Sequence, residues 1–306
     1  MLELSVIICA HNPRAHYLRR VLEALRAQTL PKEQWELLLI DNLSSVPLKP
    51  NWDLTWHPNG RHILENELGL SPARQRGIRE SSGNVLVFVD DDNVLDANYL
   101  STALTIGKEW PLLGTWGSGA TLPEFELQPP EAMKGFLHYL ALREADIPRW
   151  GNVPAIESTP WGAGLCVRSE VAAAYYRLNE QSALQITDRR GKSLLSGGDV
   201  EISYVARDKG LGTGVFPELK LIHLIPKERV STEYLLKMCQ AATTSHLLLT
   251  YKWSGSLPAH PFTPRALLSL LKNWVTQRGL DRRRYFANVR AVMEARRLIA
   301  ANRTQS

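Results

Sequence analysis

The sequence lacks the features of a membrane-spanning or secreted chain. It contains no run of 18 apolar residues, which excludes a spanning helix of the usual length. Its first residues include Glu3 and form neither a basic segment nor a long apolar one, so we expect no signal peptide. The three cysteines, Cys9, Cys166 and Cys239, are widely spaced and odd in number, which predicts neither a disulfide framework nor a zinc site. These absences favour a chain that works in the reducing cytoplasm.

Several catalytic signatures are also missing. The sequence contains no phosphate-binding P-loop, no His-Glu-x-x-His zinc motif and no Gly-x-Ser-x-Gly nucleophile turn. The glycine-rich residues 210–214 follow a predicted helix, whereas a dinucleotide-binding fingerprint follows a strand, so we interpret them as a helix stop and a turn. The corresponding classes of nucleotide-binding proteins, zinc proteases and serine hydrolases are therefore disfavoured.

Positive charge is concentrated at one end of the chain. The 306 residues carry a formal net charge of +5, and 44% of them are hydrophobic, enough for a sizeable core. Residues 265–306 hold ten Lys or Arg and two Asp or Glu, a net charge of +8, which leaves residues 1–264 at −3. A slightly acidic main domain with a basic tail is not typical of a nucleic-acid binder, so we expect no nucleic-acid partner.

Short apolar runs alternate with amphipathic segments through the first 90 residues. Buried strands are predicted at 4–9, 37–40 and 85–89, where leucine, β-branched and aromatic residues follow one another. Between the first two, apolar residues recur with helical spacing, and Ser71-Pro72 predicts the start of a second helix. This alternation predicts an α/β fold, Rossmann-like, with a mostly parallel sheet flanked by helices.

The second half of the chain gives a weaker pattern. Residues 111–160 carry Pro, Gly and Trp and are expected to be irregular, apart from one helix near 131–143. Two further strands are predicted, at 161–168 and 219–225.

Polar side chains stand where three of the predicted strands end. His11 and Asn12 follow the first strand, Asp41 ends the second, and Asp90–Asp92 follow the third. Because ligands of parallel α/β sheets bind beyond the carboxyl ends of the strands, these positions predict a binding site at one edge.

The carboxylates of Asp90, Asp91 and Asp92 repel one another and cannot all stay buried without a cation or a hydroxyl-rich ligand. Hard oxygen ligands suit Mg²⁺ or Mn²⁺, and the imidazole of His223, on a predicted strand, tilts the choice toward Mn²⁺. Two simpler interpretations stay open: a solvated turn that caps the next helix, and a structural histidine.

Three other residues carry charge near predicted helix starts. Arg74 and Arg76 lie in the first turn of the helix before the third strand, where either could meet a phosphate or a nucleobase. Asp199 follows Gly197-Gly198 and is either a helix cap or a general base held in a flexible loop.

Taken together, the motifs resemble those of family-2 glycosyltransferases, which have a GT-A nucleotide-sugar-binding fold. The resemblance spans residues 4 to about 229, and six segments carry it in the expected order: SVIICAHN (5–12), LIDN (39–42), GLSPARQRG (69–77), FVDDD (88–92), WGAG (161–164) and GDVEI (198–202). Gly198 stands where the family usually has an acid, so the resemblance places the catalytic base at Asp199 alone, with Glu201 in reserve.

The resemblance implies a role for each of these positions. On the donor side, Asp41 would hydrogen-bond the uracil ring and Arg74 would lie near the base and phosphates. Asp90 and Asp91 would face the uridine and ribose, and Asp92 would ligate the metal with His223. The remaining positions are His11 and Asn12, which would border the nucleotide sugar, Asp199, which would deprotonate the acceptor hydroxyl, and Trp161, Gly162 and Glu201, which would line the pocket between donor and acceptor.

The expected reaction is the metal-dependent transfer of a sugar from a nucleoside-diphosphate sugar, a UDP-sugar, to a hydroxyl of a saccharide or lipid-linked acceptor. One carboxylate base without a nucleophile predicts inversion at the anomeric carbon. Such a transfer would serve polysaccharide or glycoconjugate synthesis. The alternatives are a nucleotidyltransferase, which usually has a phosphate loop that residues 11–14 do not provide, and a non-catalytic sugar-nucleotide-binding or scaffold protein of the same fold.

A Pro-rich joint divides the expected organisation. Residues 1–257 are predicted to form the catalytic domain, and residues 258–306 a basic helical extension. Apolar residues of the last helix share one broad face: Tyr285, Val289, Val292, Met293 and Ile299. The extension either packs on protein, in this chain or in a homo-oligomer, or docks on an anionic membrane surface at its cytoplasmic face.

Overall fold

The computed structural model describes residues 2–191 and 193–303. Contacts divide the chain into two compact units. The first unit spans Met1–Glu126, Ala141–Glu180 and Gly198–Ile225, and the second spans Leu127–Leu140, Gln181–Gly197 and Pro226–Ser306.

The first unit is built on a ten-stranded mixed sheet, ordered β3-β2-β1-β4-β9-β6-β10-β5, with β7 paired to β6 and β8 to β10. Its strands are β1 (Leu4–Ala10), β2 (Trp35–Asp41), β3 (Gly60–Leu64), β4 (Val85–Asp90), β5 (Asn93–Leu95), β6 (Leu113–Phe125), β7 (Arg143–Glu144), β8 (Arg149–Gly151), β9 (Leu165–Arg168) and β10 (Gly212–Ile225). Strands β1 to β4 pair in parallel, whereas β9 runs antiparallel to both β4 and β6.

Five helices accompany this sheet: α1 (Ala15–Arg26), α2 (Leu70–Glu80), α3 (Tyr99–Glu109), α4 (Ser169–Gln181) and α5 (Gly198–Asp208). Helix α1 buries Leu18, Val21, Leu22 and Leu25, the helically spaced residues expected from the sequence. They join Val6 and Ile8 of β1 in the main core. On α2, a Cβ at Gly77 would overlap Ile7 Cγ2, so α2 packs on the side of β1 that carries Ile7. The predicted α/β class, with helices flanking a central sheet, is confirmed.

The structure differs from expectation between residues 111 and 125. This segment was expected to be irregular, yet it forms the long strand β6, whose first nine residues are buried. Glycine is needed there because β10 approaches closely: a Cβ at Gly119 would lie 2.5 Å from the backbone carbon of Phe216. Glycine weakens the local strand signal while permitting the tertiary packing, which explains the wrong prediction. The helix expected near 131–143 is a 3₁₀ helix at Glu131–Leu140, and shorter 3₁₀ turns occur at Lys32–Gln34 and Lys227–Val230.

The second unit is helical. It contains the 3₁₀ helix at Glu131–Leu140 and the helices α6 (Thr232–Ser254), α7 (Pro264–Thr276) and α8 (Gly279–Arg303). Helix α8 buries Ala287, Ala291, Ala295 and Ile299, a row of mostly small residues at every fourth position. Of the apolar face expected on this helix, only Ile299 is fully buried, while Met293 is exposed.

The contact boundary after Ile225 places α6 with the tail helices. The expected boundary at 257/258, which separates the catalytic domain from the basic extension, stays a prediction. Residues 304–306 of that extension lie outside the described residues. No helix in the described part of the chain is long and apolar enough to cross a membrane.

We predict that Gly119→Ala destabilises the protein by about 2 kcal/mol or more, because the added methyl group would meet backbone atoms that cannot move aside as a side chain can. Thermal melting would show a lower Tm. The matched control is Gly135→Ala, since a Cβ at Gly135 meets nothing within 4 Å, and this change should leave Tm nearly unaltered. Equal melting temperatures for the two variants would contradict the close approach of β6 and β10.

Candidate active site

The strand-end residues meet at one edge of the sheet because their strands are neighbours in parallel register. Cys9 of β1 stands opposite Asp90 of β4, and Ala10 stands opposite Asp41 of β2. The chain after each strand therefore leaves the sheet at the same edge. His11, Asn12, Asp41 and Asp90 lie there as the sequence predicted.

Asp41 holds the loop that follows β2. Its buried carboxylate accepts hydrogen bonds from the backbone N–H groups of Ser44 and Leu48, each at 2.9 Å. Such paired acceptance closes the loop over residues 42–48. The expected contact between Asp41 and a uracil ring stays a prediction, and any such contact would use acceptor positions that these two bonds leave open.

The loops after β1 and β2 are tied together. His11 donates from Nδ1 to the Asn42 carbonyl at 2.7 Å, and Asn12 Nδ2 donates to His11 Nε2 at 3.0 Å. Asn12 has a positive φ of 49°, which asparagine tolerates better than most residues, and its Oδ1 accepts from the Ser45 backbone N–H at 2.8 Å. Both His11 and Asn12 are exposed at the edge, where they can meet a ligand.

Asn42 carries this network to the start of α2, a role that the sequence motif did not reveal. Its Nδ2 donates to the Glu67 carbonyl at 2.6 Å, and its Oδ1 accepts from the Gly69 N–H at 2.7 Å. Gly69 precedes α2 with a φ of 139°, a value that favours glycine. The end of β2 thus fixes the start of the helix that bears Arg74.

The three aspartates after β4 do not share one environment. The side chain of Asp90 is 38% exposed and lies 4.0 Å from the Arg74 guanidinium, which is buried. Asp91 is half-buried. The Asp92 side chain is only 9% exposed and lies with Oδ2 at 3.5 Å from His223 Nε2. The three carboxylates therefore differ in exposure and partners, and the expected division of roles between Asp92 and its two neighbours stays a prediction.

Strand pairing brings Asp92 and His223 together. His223 of β10 stands opposite Asn93 of β5 in antiparallel register, and Asn93 Nδ2 donates to Asp92 Oδ1 at 3.1 Å. The Leu224 N–H donates to the Asp92 carbonyl at 2.8 Å. A carboxylate oxygen and an imidazole nitrogen around one divalent ion lie roughly 3 Å apart, so this pair suits a shared cation. Within residues 2–191 and 193–303 no group of three or more His, Cys, Asp or Glu is arranged to hold a metal, and a cation here would need oxygen ligands from a bound molecule or water.

Asp199 meets Gly162 and Arg74 beside Asp90. The Gly162 N–H donates to Asp199 Oδ2 at 2.7 Å, and the Val200 N–H donates to Oδ1 at 2.9 Å. A Cβ at Gly162 would lie 2.6 Å from Arg74 Nη2 and 3.2 Å from Asp199 Oδ2, so the cation and the carboxylate both approach this glycine closely. The N-terminus of α5 also favours the negative charge of Asp199 in its first turn.

Glu201, on the same helix, is fully buried. A carboxylate in that position faces the interior rather than a solvent-filled cleft. The half-buried Asp199 is therefore better placed than Glu201 to accept a proton from a bound molecule.

Trp161 stacks on an arginine that sequence reasoning missed. The Cζ atom of Arg143 lies 3.8 Å from the centre of the Trp161 ring. Arg143 also donates to the carbonyl oxygens of Thr159 at 3.1 Å and Ile156 at 2.9 Å. Burial lowers the pKa of Arg143 to about 10, which still leaves it charged at neutral pH. The aromatic residue was visible in the sequence, but its partner, far from any motif, was not.

Comparison with known proteins gives these residues a context. Residues 5–109 match the family model for glycosyl transferase family 2. Glycosyltransferase AglE of Haloferax volcanii is 37% identical over 92 residues, which cover 29% of this chain and 30% of that protein. The likeness to this curated relative therefore spans less than a third of either chain.

Two solved structures extend the likeness to the fold of the whole chain. S. aureus TarS 1–349 in complex with UDP-GlcNAc has a TM-score of 0.54 and 14% identity, and covers 100% of this chain and 93% of that one. Mannosyltransferase PcManGT from Pyrobaculum calidifontis, in complex with GDP-Man and Mn²⁺, has a TM-score of 0.60 and 15% identity, and covers 98% of this chain and 86% of that one. At such identities these structures show a shared fold, and the expected GT-A architecture is confirmed.

We predict that Asp41→Ala loosens residues 42–48, because two backbone N–H groups lose their acceptor. Hydrogen exchange should lose protection at the amides of Ser44 and Leu48, and unfolding should become easier by about 1–3 kcal/mol. The control is Asp53→Ala, which removes an exposed carboxylate that accepts from the Thr55 N–H. In this variant, only the Thr55 amide should lose protection from exchange. Unchanged exchange at Ser44 and Leu48 would contradict the holding role of Asp41.

Proposed function

We propose that this chain, whose residues 5–109 match the model for glycosyl transferase family 2, is a glycosyltransferase that moves a sugar from a nucleoside diphosphate to an acceptor hydroxyl with inversion. The observation that carries the proposal is the meeting of Asp199, Gly162 and Arg74 beside Asp90, because a base and a phosphate-binding cation then stand together. The family match and the fold shared with glycosyltransferases support sugar transfer.

The donor we propose is a UDP-sugar. Structures with the same fold contain UDP-GlcNAc in one case and GDP-Man in another, which supports a sugar nucleotide as the donor class. In this assignment, Asp41 and the exposed His11 and Asn12 border the nucleobase, while Asp90 and Asp91 face the ribose. Arg74 supplies a buried positive charge toward the diphosphate.

Asp199 is the proposed base. Its carboxylate removes the proton of the acceptor hydroxyl as the oxygen attacks the anomeric carbon from the side opposite the diphosphate. The two backbone N–H groups orient the carboxylate before the proton arrives. A single displacement with one base inverts the anomeric configuration. The stacked Trp161 and Arg143 provide a wall of the acceptor side.

Asp92 and His223 would hold a divalent cation, Mn²⁺ or Mg²⁺, since the donor pair suits one. When bound, such a cation supplies Lewis-acid neutralisation of the diphosphate leaving group. The Mn²⁺ in the related mannosyltransferase complex supports this assignment. The acceptor in our proposal is a saccharide or lipid-linked hydroxyl in polysaccharide or glycoconjugate synthesis.

We predict that Asp92→Asn removes the cation-dependent part of nucleotide binding. Thermal shift with UDP should rise when Mn²⁺ is added to the wild type, because ligands of the native state raise Tm. The variant should lose this increment, and Asp90→Asn should lose less of it. The control is Asp208→Asn, an exposed carboxylate at the far end of α5, which should behave as the wild type. Equal Mn²⁺ increments in Asp92→Asn and the control would overturn the metal assignment.

We predict that Asp199→Asn lowers sugar transfer by about 10²–10⁴-fold while UDP binding stays near the wild-type value, since the amide keeps an acceptor for the Gly162 N–H but cannot take a proton. Release of UDP from a panel of UDP-sugars, with GDP-mannose included, measures the reaction with water or added saccharides as acceptors. Asp208→Asn again serves as the control.

Full activity in Asp199→Asn would refute its role as base. Release of pyrophosphate in place of UDP would identify a nucleotidyltransferase, and tight nucleotide binding without turnover by the wild type on any donor would favour a binding protein.

A further inference from the structure

Helix α7 presents large apolar side chains to solvent. Leu267, Leu268, Leu271, Trp274 and Val275 are between 49% and 70% exposed. Their spacing of one, three and four residues places them on one side of the helix. A contiguous apolar row of this size is unusual on a protein surface and marks an interaction site.

A basic cleft lies beside this row, between α6 and α8. It has a volume of about 730 Å³ and is lined by Trp274 of the apolar row together with Lys237, Arg282, Arg283 and Arg290. Because Trp274 belongs to both features, the apolar row and the cleft form one continuous surface.

The cations of the cleft are only partly neutralised within the protein. Arg283 pairs with Glu233 at 3.2 Å, and Arg290 Nε donates to Gln240 Oε1 at 3.1 Å. In the described ranges no carboxylate lies within 4.0 Å of the Lys237 or Arg282 side-chain nitrogens. The cleft thus holds four cations against the single carboxylate of Glu233.

The combination of features selects one kind of occupant. An apolar row flanked by Lys and Arg suits a bilayer that contains anionic phospholipid, where apolar side chains enter the acyl region and cations meet phosphate groups. A second copy of the chain would bring an equally basic surface against this one, since residues 265–306 carry a net charge of +8. A nucleic acid would satisfy the cations but leave the leucines in water.

We propose that α7 and the basic cleft form a surface that docks on an anionic phospholipid bilayer. Leu267, Leu268, Leu271, Trp274 and Val275 enter the interface, and Lys237 and Arg282 contact lipid phosphates. Docking of this kind is independent of sugar transfer, and its tests need no sugar nucleotide.

The experiment is flotation of the full chain with vesicles of phosphatidylcholine alone or with 30% phosphatidylglycerol, roughly the anionic share that gives a strong surface potential. The wild type should bind only the anionic vesicles, and less at about 1 M salt, where the Debye length is about 3 Å. Leu268→Glu/Leu271→Glu should weaken binding more than tenfold. Lys237→Glu/Arg282→Glu should also weaken it by at least tenfold, since each cation near the surface is worth about fivefold. Free inorganic phosphate at millimolar concentration should not compete.

The matched control is Leu112→Glu, which replaces an exposed leucine (74%) of the first unit and should bind vesicles as the wild type does. All variants alter exposed side chains and should keep the wild-type Tm, which separates loss of docking from loss of folding. As a second measure, brominated lipid should quench part of the tryptophan fluorescence of the wild type, and Trp274→Phe should remove that part.

Several results would overturn the proposal. The first is that Leu268→Glu/Leu271→Glu binds anionic vesicles as strongly as the wild type does. The second is that the wild type binds no vesicles, and the third is that brominated lipid quenches Trp274→Phe as much as the wild type. A chain that is dimeric by light scattering and becomes monomeric in the leucine variant, with vesicle binding unchanged, would identify the row as a protein interface instead.

Discussion

Strand β1 lies between β2 and β4 and pairs with both in parallel, so that Cys9 stands opposite Asp90 and Ala10 opposite Asp41. Successive side chains of a strand point to opposite faces, and paired residues point to the same face. The side chain of Asp90 therefore lies on the same face of the sheet as those of Ile7 and Cys9. Helix α2 packs on this face, and its Arg74 lies 4.0 Å from Asp90. Asp41 shares the Ala10 face and turns to the loop over residues 42–48. One register thus places the side chains of Asp90 and Asp41 on opposite faces of the sheet.

A buried arginine is stable only where nearby carboxylates or other acceptors compensate its charge. Arg74 is 4% exposed, and isolation of its guanidinium from water would be costly without partners. Asp90 lies 4.0 Å away, and Gly162 leaves room for the guanidinium next to Asp199. A methyl group at Gly162 would displace the end of the Arg74 side chain from this position. Gly162 therefore contributes through the absence of a side chain. A sequence motif can mark this glycine but does not give the reason for it.

The sequence predicted most of the strands themselves but few of the contacts between residues that are distant in sequence. The apolar runs at 4–9, 37–40 and 85–89 were sufficient for β1, β2 and β4, because a strand buried on both faces leaves a local signal. Strand β6 was missed since its glycines serve contacts with a distant strand. Arg143 was missed for the same reason: its stacking on Trp161 joins residues that no local pattern links. Side-chain chemistry linked His223 to Asp90–Asp92 as a group, and the family resemblance singled out Asp92. The register of β10 with β5 is the physical reason that Asp92 and His223 lie close together.

In the helical unit, small residues form the buried contact between helices, while large apolar residues stay exposed. Helix α8 packs against α6 through Ala287, Ala291 and Ala295, and Thr244 Oγ1 of α6 donates to the Ala291 carbonyl at 3.4 Å. Small side chains at every fourth position bring two helix backbones close together. The apolar face expected on α8 was drawn from large residues, whereas the fully buried row, apart from Ile299, consists of alanines. The leucines and Trp274 of α7 are exposed although each could bury substantial apolar area, and their exposure is a cost in water. A surface that keeps this cost next to Lys237 and Arg282 is better matched to a phospholipid interface than to water.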